Sequence, residues 1–203
     1  MNQKTNYKQL FDVQLNAIKM QAKKPTLLLH SCCAPCSSYV LEYLHSFFDI
    51  TLYFYNPNIS PESEYAYRAQ ELERLVKEMG FSDSVKIIVP DYTPEEFENI
   101  AKGKESEPER GRRCTDCYYI RLKKSFDYAE KNGFDYFSTT LSISPHKDAQ
   151  RLNEIGASLT ENTKTKWLYS DFKKNNGYIR SIELSEKYNL YRQNYCGCKY
   201  SKR

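Results

Sequence analysis

The chain has 203 residues, 28% of them charged, with only seven glycines and eight prolines, which fits one ordered α/β domain and excludes low-complexity and collagen-like classes. No apolar run approaches the length of a bilayer span and the first residues show no signal-peptide core, so the expectation is a cytoplasmic protein with no membrane partner. Thiols stay reduced in that compartment, and seven cysteines are an odd number for a disulfide framework; metal ligation or redox chemistry is the better reading.

Residues 1–24 read as an N-terminal helical extension, with Leu10, Val13, Leu15 and Ile18 loosely periodic. Residues 25–203 read as a single α/β metal-binding catalytic domain. Thr26–Ser31 is a strand, apolar without polar alternation and therefore buried on both faces. Pro35 suits the first turn of a following helix over Ser37–Phe48. Ile50–Tyr55 is a second strand, ended by Asn56-Pro57. Pro61–Met79 is the clearest helix, with Tyr65, Ala69, Leu72, Val76 and Met79 on one stripe and Gly80 as its stop. Val85–Val89 is a third strand. Thr93–Ala101 is a helix with a capping box between Thr93 and Glu96.

Lys102–Arg113 is dense in charge and reads as a solvated loop, a candidate cover over a site. A helix follows over Cys114–Lys131, closed by Gly133. Tyr136–Ile143 is a fourth strand rich in β-formers. Ser144-Pro145-His146-Lys147-Asp148 opens a helix to about Ile155, Lys166–Tyr169 is a late strand, and Ser181–Lys187 is helical after a turn at Asn175-Asn176-Gly177. Strands alternating with helices at short spacing imply a parallel sheet. The net charge of +4 is compatible with a nucleic-acid partner. Most of the 18 tyrosines read as amphipathic core filler, with stacking on unpaired bases as the functional alternative.

The cysteines fall into three groups: Cys32, Cys33 and Cys36; Cys114 and Cys117; Cys196 and Cys198. Scattered, unligated core thiols would not cluster in this way. The first group sits where a strand hands over to a helix, the place where open α/β sheets bind ligands, and a helix N-terminus favours thiolate. Three chemistries fit the spacing. Cys33-x-x-Cys36 alone matches a thioredoxin-type dithiol. Cys33, Cys36, Cys114 and Cys117 match a structural zinc site. The same four match an iron–sulfur cluster, which leaves Cys32, Cys196 and Cys198 for a second metal or for catalysis. Cys32 and Cys33, being adjacent, are expected to point apart and to serve neighbouring centres. Other polar groups are weaker signals. His146, after a strand end, is a candidate proton donor. His30 reads as a near-core residue, and Arg112, Arg113, Lys147 and Arg180 are candidate phosphate contacts.

Four motifs together carry a resemblance: Leu29-His30-Ser31-Cys32-Cys33-Ala34-Pro35-Cys36; Arg113-Cys114-x-x-Cys117; Thr139-Thr140-Leu141 with Ser144-Pro145-His146-Lys147-Asp148; and Leu190-Tyr191-Arg192-Gln193 with Tyr195-Cys196-Gly197-Cys198. From about residue 25 to the C-terminus the chain resembles the epoxyqueuosine reductase QueH family, the cobalamin-independent enzymes of tRNA queuosine synthesis. The resemblance implies a Rossmann-like α/β domain, a parallel sheet flanked by helices and related to the HUP group, with a small cysteine-containing C-terminal segment. It also implies a 4Fe-4S cluster with further iron, and reduction of epoxyqueuosine at the tRNA wobble position. ATP-binding HUP relatives carry a glycine-rich loop after the first strand. Here Ser31-Cys32-Cys33-Ala34-Pro35-Cys36 holds no glycine, so an ATP site is disfavoured. Some family members carry a carboxylate where this chain has Cys36.

Converting an epoxide to an alkene removes one oxygen as water and takes two electrons and two protons. A metal cofactor supplies the electrons, because side chains do not at low potential. The expected arrangement is a cluster on Cys33, Cys36, Cys114 and Cys117, fed by an external flavodoxin- or ferredoxin-like donor. Mononuclear iron on Cys32, Cys196 and Cys198 would bind the epoxide oxygen, with His146 or a nearby tyrosine delivering a proton. The expected partner is the tRNA anticodon loop.

Overall fold

The computed structural model describes residues 5–201. Its centre is a five-stranded parallel sheet in the order β3-β2-β1-β4-β5. The strands are β1 (Thr26–His30), β2 (Asp49–Tyr53), β3 (Lys86–Ile88), β4 (Tyr136–Thr139) and β5 (Lys166–Trp167). Helices α1 (Tyr7–Lys19), α2 (Ala34–Leu44), α3 (Glu62–Glu78), α4 (Pro94–Ala101), α5 (Arg112–Lys131), α6 (Ala149–Leu159) and α7 (Gly177–Lys187) surround it. The α/β class with a parallel sheet is as the sequence predicts.

The apolar run of β1 explains its place in the middle. Leu27 and Leu29 point into one core with Phe11, Val40, Leu41 and Leu72. Leu28 points into the opposite core with Tyr118, Leu122, Phe137 and Leu152. A strand buried on both faces needs this unbroken run. Helix α1 puts Phe11, Leu15 and Ile18 into the same core as Leu27 and Leu29, and the Gln14 amide bonds Trp167 O and Tyr169 N beside β5. The N-terminal extension therefore packs as part of the sheet's own core, its first four residues lying outside the described range.

Several boundaries differ from the sequence expectation. The fourth strand stops at Thr139, where its β1 partner stops at His30, and Thr140–Ile143 coils into a 3₁₀ turn. Helix α6 begins after Asp148, whose side chain accepts Arg151 N–H at 3.1 Å, so Ser144–Lys147 is a turn and not a helix start. Helix α7 starts at Gly177, before the expected Ser181. Thr93 is the N-cap of α4, but its side chain makes no capping hydrogen bond. Glu96 turns instead to Tyr55 Oη and Lys124 Nζ, so the capping box does not form.

A thiol-lined site at the switch point of the sheet

The strand order reverses at β1, with β2 on one side and β4 on the other. The crevice beyond the carboxyl ends of β1 and β4 is the topological switch point, where open α/β sheets bind ligands. His30 closes the end of β1 and is wholly buried. Burial pushes its pKa down to about 3, with the Arg121 charge adding to the effect, so the ring is neutral. Its Nε2 donates to Tyr55 O at 3.1 Å. Its Nδ1 then accepts from Thr139 Oγ1 at 2.8 Å, which ties β1 to β4 just below the crevice.

Beyond His30 the chain is no longer a strand, and strand alternation does not apply. The sulfurs of Cys32, Cys33 and Cys36 all lie within 4.8 Å of one another, with Cys32 Sγ to Cys33 Sγ at 3.7 Å. The expectation that Cys32 and Cys33 point apart is therefore corrected. Cys33 is the extended N-cap of α2 (φ −176°) and Cys36 sits in its first turn, a shape that folds the three thiols together. Hydrogen bonds from Cys33 and Cys36 hold the Cys32 thiol well below its ordinary range, helped by Arg121. The Cys33 thiol, hydrogen-bonded to Cys32 and buried, is pushed up to about 12.

The other four thiols, Cys114 and Cys117 from α5 with Cys196 and Cys198 from the tail, line a second and smaller hollow. Cys117 and Cys198 are buried with Phe97 and Ala101. Burial raises the Cys117 thiol. Cys196 is lowered by a hydrogen bond from Cys198 and by the Lys147 charge, while Cys198 is raised in return. The tail is fastened by Ser60 N to Gly197 O at 3.0 Å and Tyr195 Oη to Ser60 O at 3.0 Å. All seven cysteines are free thiols. Space therefore groups them as three and four, where spacing alone pairs Cys33 and Cys36 with Cys114 and Cys117. Cys196 lies at the join, lining both hollows.

The three-thiol group opens on a cavity of about 340 Å³. Arg121, Lys147 and Arg192 line it against one carboxylate, Glu109, and Arg68 on the same wall is paired with Glu64 at 2.7 Å, so the cavity favours an anionic ligand. Burial works against the Lys147 charge, but Cys196 and Tyr118 outweigh it and the pKa is raised; the ammonium is kept. His146 is exposed at the cavity wall, where its backbone oxygen accepts from Arg110 Nε at 3.2 Å.

Of the candidate phosphate contacts, only Lys147 reaches this cavity. Arg113 is 2% exposed and spends its guanidinium on the carbonyls of Lys104 and Glu105 at 2.7 and 2.8 Å. It thereby pins the charged loop from within. Arg112 pairs with Glu107, and Arg180 with Glu42 and Glu183. Sequence reading singles out neither Arg68 nor Arg121, and it quotes Arg192 within a motif without giving it a role. For Arg121 a signal exists: Cys114, Cys117 and Arg121 step by three and four residues along one face of α5.

Thiols in this number at a sheet switch point fit a thiolate-held metal group, since soft sulfur donors select iron–sulfur clusters, zinc and copper(I). Fold and site together define an α/β protein with a thiol-rich centre able to hold a metal. The family model described as epoxyqueuosine reductase QueH matches residues 27–203, and the chain belongs to that family. It is 46% identical over 202 residues to the epoxyqueuosine reductase QueH of Streptococcus pyogenes serotype M1, covering 98% of this chain and 79% of that protein. Similarity to the protein of the same name from Staphylococcus epidermidis is 45% identity, over 98% and 86% of the two chains. The Thermotoga maritima relative is 33% identical, over 87% and 90%.

Proposed function

We propose that the protein reduces epoxyqueuosine to queuosine at the wobble position of tRNA in the cytoplasm, using an iron–sulfur centre held by its seven thiols. The observation that carries this reading is that the seven thiols gather as a close group of three and a hollow of four that adjoin at Arg121, Lys147 and Cys196, in a chain of the epoxyqueuosine reductase QueH family. No helix among the described residues is long and apolar enough to cross a membrane.

The ligand assignment follows space more closely than spacing. Cys114, Cys117, Cys196 and Cys198 supply the four thiolates of a 4Fe-4S cluster. Cys32, Cys33 and Cys36, whose sulfurs lie within 4.8 Å of one another beside the larger cavity, would hold a mononuclear iron, which would supply Lewis-acid and redox chemistry to a substrate there. This revises the expected division, in which Cys33 and Cys36 joined Cys114 and Cys117. When bound, the group supplies the two electrons that removal of the epoxide oxygen requires, replenished by a flavodoxin- or ferredoxin-like donor.

The chain's own side chains do the rest. The Lys147 ammonium stabilises negative charge that develops on the epoxide oxygen. His146, exposed to solvent at the cavity wall, delivers the two protons in turn, reprotonated by water between them, as that oxygen leaves as water. Arg192 at the rim holds a backbone phosphate. A wobble base is already unpaired, so it enters at low cost.

The test is anaerobic reconstitution of the full chain with iron and sulfide. The expected product is brown, with roughly four to five irons per chain. Colourless protein with stoichiometric zinc would replace this reading with a zinc-stabilised RNA-binding module. Colourless, metal-free and active protein would replace it with a thioredoxin-like dithiol enzyme.

A further inference from the structure

Arg121 stands between the two thiol groups. It follows Cys117 by one turn of α5, its side chain is 3% exposed, and it lines both the larger cavity and the four-thiol hollow. Its Nη2 donates to Asn56 Oδ1 at 2.5 Å. Asn56 Nδ2 donates in turn to Ser31 O at 2.9 Å, one residue before Cys32. The guanidinium is thus tethered to the end of β1 by a neutral amide. Among the described residues no carboxylate pairs with it, and its buried Nε makes no hydrogen bond.

A guanidinium does not shed its proton inside a protein, and a buried charge without a counter-ion is strongly unfavourable. The folded chain nevertheless keeps one here and aims it at sulfur. The groups within its reach divide by sign. Toward the larger cavity it shares the wall with Cys32, Cys36 and Cys196, and toward the smaller hollow with Cys114, Cys117 and Cys198, while the other cations on those walls are Arg68, Lys147 and Arg192 on one side and Arg113 and Lys147 on the other. The anions that answer this cation are the thiolates on its two sides.

We propose that Arg121 is a positioning residue that supplies a fixed counter-charge to the thiolate-held centre, acting on both thiol groups at once. The inference rests on the metal–thiolate reading above and adds to it a residue that is not itself a ligand. Several thiolates gathered in a buried space repel one another. A permanent cation held between them lowers that cost before any metal arrives, which is preorganisation of the site.

The experiment uses the full chain, made metal-free under anaerobic reducing conditions, and cobalt(II) as the probe. Thiolate-to-cobalt absorbance is titrated for wild type, Arg121→Gln, Arg121→Met and Arg121→Lys, with circular dichroism confirming that each is folded. Gln retains a donor for Asn56 and Met retains volume, but neither carries charge; Lys retains charge. The expected result is that the Gln and Met variants bind cobalt on the order of tenfold or more weakly, the scale of one lost charge contact at a buried site. The Lys variant should stay within a few-fold of wild type. Wild-type affinity in Arg121→Gln, or equal weakening in all three variants, would overturn the proposal, the second outcome marking a role in shape alone. Absence of thiolate–cobalt absorbance in wild type itself would overturn the metal–thiolate reading, and is distinguishable because no comparison among variants is then involved.

Discussion

Cys36 and Cys117 separate the two ways of dividing the thiols. Cys36 lies with Cys32 and Cys33, and Cys117 lies with Cys114, Cys196 and Cys198. Cys117→Ala should therefore lose iron and sulfide together, while Cys36→Ala should keep most sulfide and lose turnover. Equal loss of sulfide in both, by iron and sulfide assay, would restore the pairing suggested by spacing. His30 gives a second residue-scale prediction. His30→Leu leaves Tyr55 O without its donor and Thr139 Oγ1 without its acceptor, both buried. An unpaired buried polar group costs about 1–3 kcal/mol, and a urea midpoint unchanged in the variant would refute this role. The sequence made the thiols legible as ligands because Cys-x-x-Cys is a local spacing. It did not make the convergence of Cys32 with Cys33 legible, because side-chain alternation requires a strand and β1 ends at His30. Arg113 was misread because charge alone does not show that its donors meet the carbonyls of Lys104 and Glu105.

The C-terminal segment shows the same contrast at the level of an element. Cys196-Gly197-Cys198 is short, yet it brings two of the four thiols of the smaller hollow. Gly197 has φ +103°, where other residues are strained, and a Cβ there would sit 2.7 Å from Ile59 Cγ1. Gly197→Ala should therefore displace Cys196 and Cys198 and lower turnover about 10–100-fold, the scale of an ångström misplacement. The fold should persist, because the sheet core lies elsewhere. Full activity in a folded variant would show that this turn does not place the thiols. Among the strands, β1 was legible from its apolar run. The end of β4 was not, because β-forming residues continue through Ile143 while the pairing partner ends at His30. A strand's length is a property of two segments, and one segment's composition does not contain it.

At the scale of the whole molecule, the charge that matters is local to the cavity and not the net +4. Arg121, Lys147 and Arg192 face one carboxylate there, while Arg68, Arg112 and Arg180 are engaged with acids. Arg192 is exposed at the rim, so Arg192→Ala should weaken binding of an anticodon stem-loop several-fold and reduce its salt slope by about one. An unchanged salt slope, read by titration at two or more salt concentrations, would remove Arg192 from RNA contact. The most direct test of the account is anaerobic turnover of a stem-loop carrying epoxyqueuosine, measured as queuosine formed per chain with a chemical reductant. Protein reconstituted with iron and sulfide is compared with the same protein loaded with zinc. The account predicts multiple turnovers for the iron–sulfur form and none for the zinc form. Equal queuosine formation by both would contradict it, because the electrons would then not pass through a thiolate-held iron centre.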